Sequence, residues 1–252
     1  MGDIRLQITQ EKFKEWLDYI IEKDREPLVQ MAKDIEKNGG VSDWQDRITV
    51  ARSIFLLDKN NLQPTIDILK TIVDVELTET KDLEIKAWAM HDLGYLTWQA
   101  QKLAEPALKY IDMAIAILDN IDTLELTYVT KGEIWNTRCQ IVISSGDLQT
   151  ALIMADEKIK EKEKLGETGN SYLFYAYYAK AQIMHKQEDD KTAALYLYQA
   201  LKSYPLEQIS SSFDKVKEVW LKENEDAQSA FNKMLDIIKR EDMIITTVKW
   251  KI

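Results

Sequence analysis

Thr65, Ala107, Ala151 and Ala193 stand 42, 44 and 42 residues apart, and each follows a short turn and opens an apolar run. Around the second of them, Ala107-Leu-Lys-Tyr-Ile-Asp-Met-Ala114 sets two alanines seven residues apart; Ala193-Ala-Leu-Tyr-Leu-Tyr-Gln-Ala200 does the same, with Pro205 five residues later. Residues seven apart share one face of a helix, so each run carries a stripe of small side chains. The apolar run preceding each of the three alanine copies also holds a small residue in phase: Gly94, Cys139 and Ala181. Small side chains on two consecutive helices let their backbones approach closely, which larger groups would prevent. A period of this length, with two helical runs in each copy, predicts a stack of helical hairpins rather than a bundle.

Apolar residues recur at three- and four-residue spacing through almost the whole chain, which predicts twelve helices. Their spans are about 10–22, 25–38, 43–58, 62–76, 82–101, 104–119, 124–145, 148–165, 170–186, 190–204, 207–223 and 226–240. Pro27, Pro64 and Pro106 fall in first turns, where a missing N–H costs nothing. Gly39-Gly40, Asn60-Asn61 and Gly146-Asp147 supply turns, and Ser42, Asp147 and Asp226 read as N-caps. Beyond Glu241 the pattern changes. Ile244, Thr246, Val248, Trp250 and Ile252 alternate as in a strand or extended tail, which suits a terminal cap, a segment folded back into the groove, or a pairing surface for a second copy.

Met90-x-x-Leu93-Gly94, Trp135-x-x-x-Cys139 and the Ala107/Ala114 and Ala193/Ala200/Pro205 spacings resemble the tetratricopeptide repeat. That family's unit is roughly 34 residues. The longer period here is similar to the extended repeats of kinesin light chains and of bacterial peptide-pheromone receptors of the Rap and PlcR type. The resemblance implies an all-α, right-handed superhelix of about six antiparallel hairpins. It places N-terminal capping helices at 1–42, repeats at 43–205, and C-terminal capping helices with an extended tail at 206–252.

Thirty-three Lys and Arg against forty-three Asp and Glu leave a net charge of −10, which disfavours nucleic acid and anionic membrane as partners. The densest lysine cluster, Lys158 to Lys164, alternates with Glu157, Glu161 and Glu163 and reads as a solvated helix face. Charges recurring from Glu11 to Arg25 argue against a signal peptide, and Leu6 stands where a myristoylation motif needs Ser or Thr. The longest uncharged stretch, Thr168 to Ala179, is too short to span a bilayer. One cysteine and two histidines cannot make a disulfide or a four-ligand zinc site, which favours a reducing, cytoplasmic location. Phosphate-loop, dinucleotide, nucleophile-elbow and zinc-protease signatures are absent. His91 precedes Asp92, but adjacent helical residues diverge by about 100° and do not make a chelating pair. No metal, cofactor or enzymatic activity is therefore expected, and Cys139 reads as a buried packing thiol.

The aromatics carry the functional expectation. Counted from Gly94, Trp88, His91, Tyr95 and Trp98 fall on the face that tetratricopeptide arrays turn toward their concave groove. Counted from Cys139, Glu133, Asn136 and Gln140 fall there, and counted from Ala181, Tyr175, Tyr178 and Gln182, with His185 beyond. Phe174 and Tyr177 fall on the opposite, buried side. Aromatics supply contact area and amides pair with backbone N–H and C=O groups, so the expected ligand is an extended peptide or protein segment. The alternative is that these aromatics pack between long helices. The corresponding functions are a non-enzymatic peptide-binding module, a regulatory receptor for a short signalling peptide, or a structural helical oligomer, with a homodimer as one form.

Overall fold

A computed structural model describes residues 8–121, 131–166 and 171–205, together with 232, 235 and 236. Ten helices are present among them: α1 (Gln10–Glu22), α2 (Leu28–Lys37), α3 (Trp44–Leu57), α4 (Gln63–Val73), α5 (Thr80–Gln101), α6 (Ala104–Asp119), α7 (Lys131–Ser144), α8 (Leu148–Lys164), α9 (Ser171–Lys186) and α10 (Asp190–Lys202). Each corresponds to a helix expected from the apolar periodicity. The helices expected at 207–223 and 226–240, the Asp226 cap and the alternating tail lie outside the described residues.

The ends follow local chemistry. Asp147 caps α8 by accepting the Thr150 N–H at 3.1 Å, and Asp189 caps α10 by accepting the Thr192 N–H at 3.1 Å. The same Asp-x-x-Thr device thus recurs at the repeat spacing. At α3 the cap is Asp43, which accepts the Asp46 N–H at 2.8 Å. Ser42, the expected cap, instead donates its N–H and hydroxyl to the Asp46 carboxylate. Gly146, at φ +89°, makes the left-handed turn between α7 and α8 that a side chain would resist.

The chain divides into two compact units, one holding α1–α6 and the other α7–α10, so the repeat region expected at 43–205 contributes helices to both. In the first unit α1 packs on α2, α3 on α4 and α5 on α6. Partners rise on one helix as they fall on the next: Arg47 bonds Thr71, while Ala51 accepts the Thr65 hydroxyl. These two helices are therefore antiparallel. Odd-numbered helices also lie side by side, and α3 and α5 run parallel, since Arg52 meets Asp92 and Phe55 meets Tyr95. In the second unit α7 packs on α8 and α9 on α10; α7 and α9 run parallel, with Gln140 bonded to Gln182 forty-two residues on.

The small-residue stripes are buried, and the contact expected between Gly94 and Ala107 is made. Gly94, Cys139 and Ala181 are buried, as are Thr65, Ala107, Ala114, Ala151, Ala193 and Ala200. A Cβ on Gly94 would lie 2.6 Å from Ile111 Cδ1 and 2.9 Å from the Ala107 carbonyl oxygen, so only hydrogen fits there. Thr65 keeps its place in the stripe because its hydroxyl finds the Ala51 carbonyl at 3.2 Å. An unbonded buried hydroxyl would be costly. A comparable close contact joins α7 to α9: a Cβ on Gly132 would stand 2.6 Å from the Ser171 carbonyl carbon. Among the described residues no helix is long and apolar enough to cross a membrane.

Candidate functional site

α5 and α9 each pack against three other helices of their unit. α5 is packed by α3, α4 and α6, and α9 by α7, α8 and α10. That enclosure decides where the candidate aromatics lie. Trp88 is fully buried, with the Arg52 guanidinium 5.3 Å from its ring centroid. His91 is buried, and Tyr95 is buried edge-on to Phe55 at 6.4 Å. Tyr175 and Tyr178 are buried as well, Tyr178 stacked 6.3 Å from Phe174. Expected on an open face, these five side chains instead fill space between helices, because three neighbours leave each central helix only a narrow exposed strip. Tyr177, expected inside, is half-buried and donates its hydroxyl to Glu163 at 2.9 Å. Burial, and then that carboxylate, push its hydroxyl up to about 12.

The remaining candidates are half-buried. In the first unit Trp98 lies near the C-terminal end of α5, with Lys102 over its ring at 5.7 Å. In the second unit Glu133, Asn136 and Gln140 lie on α7, and Gln182 lies on α9 with the two tyrosines. Gln140 Nε2 donates to Asn136 Oδ1 at 3.2 Å and, through its other hydrogen, to Gln182 Oε1. Gln182 Nε2 donates to the Tyr178 hydroxyl at 3.2 Å. Tyr175 donates its hydroxyl to Glu133; burial first, and this carboxylate second, hold its pKa well above the usual tyrosine range. Turning the Gln140 amide over by itself would place oxygen against oxygen, so the three amides reverse only together, and either way one amide donor and one carbonyl of the Asn136–Gln140 pair stay outside the network. Asn136 Nδ2 and Gln140 Oε1 then keep no intramolecular partner among the described residues. One donor and one acceptor stand side by side, half-buried, and together they complement a single peptide unit.

Sequence reasoning passed over the charges beneath α5. Arg52 Nε donates to Asp92 Oδ2 at 2.8 Å, and His91 Nδ1 lies 3.0 Å from Asp92 Oδ1. Both members of the ion pair are buried, Asp92 completely. Burial alone would raise the Asp92 pKa; the Arg52 charge and then the His91 hydrogen bond outweigh it and hold it below the usual aspartate range. His91 and Asp92 do meet, despite diverging along the helix, but as partners of one another. Among the described residues no group of three His, Cys, Asp or Glu side chains could hold a metal ion. Cys139 is buried, and burial pushes its thiol far above the usual range, away from any nucleophilic role. No protein-family model, curated protein or solved structure matches this chain.

Proposed function

We propose that the chain is a non-enzymatic recognition module whose hairpins belong to a tetratricopeptide-like right-handed superhelix, and that its second unit binds an extended polypeptide segment along α7 and α9. The unpaired donor and acceptor on Asn136 and Gln140 carry this reading. A half-buried amide pair with unmet hydrogen-bonding capacity costs free energy in isolation, and a peptide N–H and C=O would satisfy it. Gln182 and Tyr178 hold the pair in orientation, so little side-chain freedom is lost on binding. Glu133, one turn away on α7, and the chain's negative charge favour a segment carrying Lys or Arg. Recognition through peptide groups and charge is compatible with either a protein partner or a short signalling peptide. Trp98 belongs to the other unit and is not required for this site.

The test selects binding peptides by display against the full chain, then compares affinities for Asn136→Ala and Gln140→Ala with Lys160→Ala, a change at an exposed position on α8. Loss of about tenfold in the first two, with melting temperature preserved, is the expected result, since one such hydrogen-bonded pair contributes about 1.4 kcal/mol. Equal affinity in all three variants would move binding off this surface and favour a structural role.

A further inference from the structure

Arg47 in the first turn of α3 is a cation held in place without a counter-charge. Its guanidinium carbon lies 4.7 Å from the ring centroid of Trp44 and 5.4 Å from that of Phe13, and Nη1 donates to Thr71 Oγ1 at 3.1 Å. Phe13 in turn meets Trp16 edge-on at 5.5 Å. Arg47, Trp44 and Trp16 are all half-buried. No carboxylate lies within ion-pair distance of Arg47 among the described residues, although the chain has ten more acids than bases. The contrast with other sheltered cations is direct: Arg52 is paired with Asp92, Lys158 with Glu161 and Lys180 with Asp156. At Arg47 burial lowers the pKa and no neighbouring charge raises it.

A guanidinium partly removed from water, stacked on aromatic rings and anchored by a hydroxyl at one nitrogen, has its remaining edge oriented before any ligand arrives. That edge, Nε with Nη2, matches the two oxygens of a carboxylate in a fork-to-fork pair. Tryptophan and arginine together are the residue types that dominate binding energy at protein interfaces. We propose that Arg47, Trp44 and Trp16 form a second recognition site, in the first unit, that takes the carboxylate of a partner polypeptide with an apolar or aromatic residue beside it. The charges around the site favour a single negative charge over a phosphate dianion. Asp43 and Asp46 share the turn with Arg47, their carboxylates engaged by the Asp46 N–H and by Ser42, while Lys12, over Trp16, is already paired with Glu15. A dianion doubles its attraction to Arg47 only as it doubles its repulsion from those aspartates, while its desolvation cost grows with the square of its charge and no second cation offsets it.

The site belongs to the first unit and the α7–α9 row to the second, and they share no residue, so either can fail alone. The experiment follows the indole N–H resonances of the full chain, labelled at tryptophan and assigned with Trp44→Phe and Trp16→Phe. The probes are N-acetyl-phenylalanine, whose carboxylate is terminal, N-acetyl-Phe-Glu-amide, whose carboxylate is on a side chain, the uncharged N-acetyl-phenylalaninamide, and phenyl phosphate. Saturable shifts of the Trp44 resonance by at least one carboxylate probe, at millimolar concentration, are expected. The uncharged amide should bind at least tenfold more weakly, and the two carboxylate probes tell a chain terminus from an acidic side chain. Arg47→Lys keeps the charge and removes the fork, so it should weaken binding about tenfold with an unchanged melting temperature. Equal shifts with the uncharged amide, tighter binding of phenyl phosphate, no effect of Arg47→Lys, or no saturable shift with any carboxylate would each overturn the proposal.

Discussion

Gly94 on α5 lies against Ala107 on α6 so closely that a methyl group at Gly94 would come within 2.9 Å of the Ala107 carbonyl oxygen. The nearer obstacle, Ile111 Cδ1 at 2.6 Å, is the end of a side chain and can move; the carbonyl can move only with the helix. Gly94→Leu is expected to cost about 3 kcal/mol, the upper range for overpacking. Gly94→Ala should cost less, because alanine's helix preference returns up to about 1 kcal/mol. Ile111→Val, which removes the atom in closest conflict, should make the Gly94→Ala change cheaper than the two single costs combined. Urea denaturation of the four proteins measures this, and strictly additive costs would argue that the helices separate instead of repacking.

The buried pair Arg52–Asp92 leads to an asymmetric expectation. Removing either partner alone takes the opposite charge away from a buried ion inside the first unit, so Asp92→Asn and Arg52→Met should each cost about 3–5 kcal/mol. Combining them removes both charges, and the double variant should be more stable than either single one. If the double variant is less stable than both, the remaining neighbours depend on the pair for their positions, and the ion pair is more than a balanced couple.

Asp92 also contributes to the acid limb of stability. Its folded pKa is held below the unfolded value of about 3.9, so the native state releases this proton more readily than the unfolded chain. The stabilisation is fully present above the unfolded pKa and is lost as pH falls through the folded one. Urea midpoints measured between about pH 2 and pH 6 should therefore fall toward acid in the intact chain, with a shallower fall in Asp92→Asn. Identical slopes would show that other carboxylates account for acid unfolding.

Cys139 gives a probe of opening in the second unit. Its thiol is buried at the small-residue contact of α7, and burial suppresses its ionisation. Alkylation by iodoacetamide at pH 8 should accordingly be slow in the native chain and should accelerate in parallel with urea unfolding. Rapid labelling without denaturant would contradict the close packing of that helix.

Helix positions were legible because α1, α2, α4, α6, α8 and α10 each turn one apolar stripe inward. The phase of α5, α7 and α9 was not. These helices are apolar around most of their circumference, so periodicity does not identify an outward face, and Tyr175 and Tyr178 could be assigned to a groove as readily as to the core. Counting from Ala181 nevertheless brought Gln182 to Gln140, because that spacing reflects the hairpin period itself. Arg52 and Asp92 stand forty residues apart, close to that period; searching for opposite charges at the repeat spacing would have found them. Arg47 could not have been found that way, since what distinguishes it is the absence of a carboxylate partner among the described residues.

Tyr175 joins the core of the second unit to the proposed binding row, and its hydroxyl can be tested by itself. Donation to Glu133 and burial both favour the protonated phenol, raising the folded pKa well above 10. The native state thus holds this proton more tightly than the unfolded chain, and the stabilisation is present below about pH 10 and declines as pH rises from there toward the folded value. Tyr175→Phe deletes one hydrogen bond to a carboxylate and should cost about 1–2 kcal/mol near neutrality. It should also flatten the alkaline limb of the stability curve. Ultraviolet titration of the folded chain supplies the direct measurement: at least two phenolates fewer, those of Tyr175 and Tyr177, should appear in the wild-type chain than in its urea-unfolded form at pH 11, and this difference should shrink by one in Tyr175→Phe. Full tyrosine ionisation at that pH, with helical circular dichroism intact, would mean that water reaches the hydroxyl and that Glu133 is not held by Tyr175.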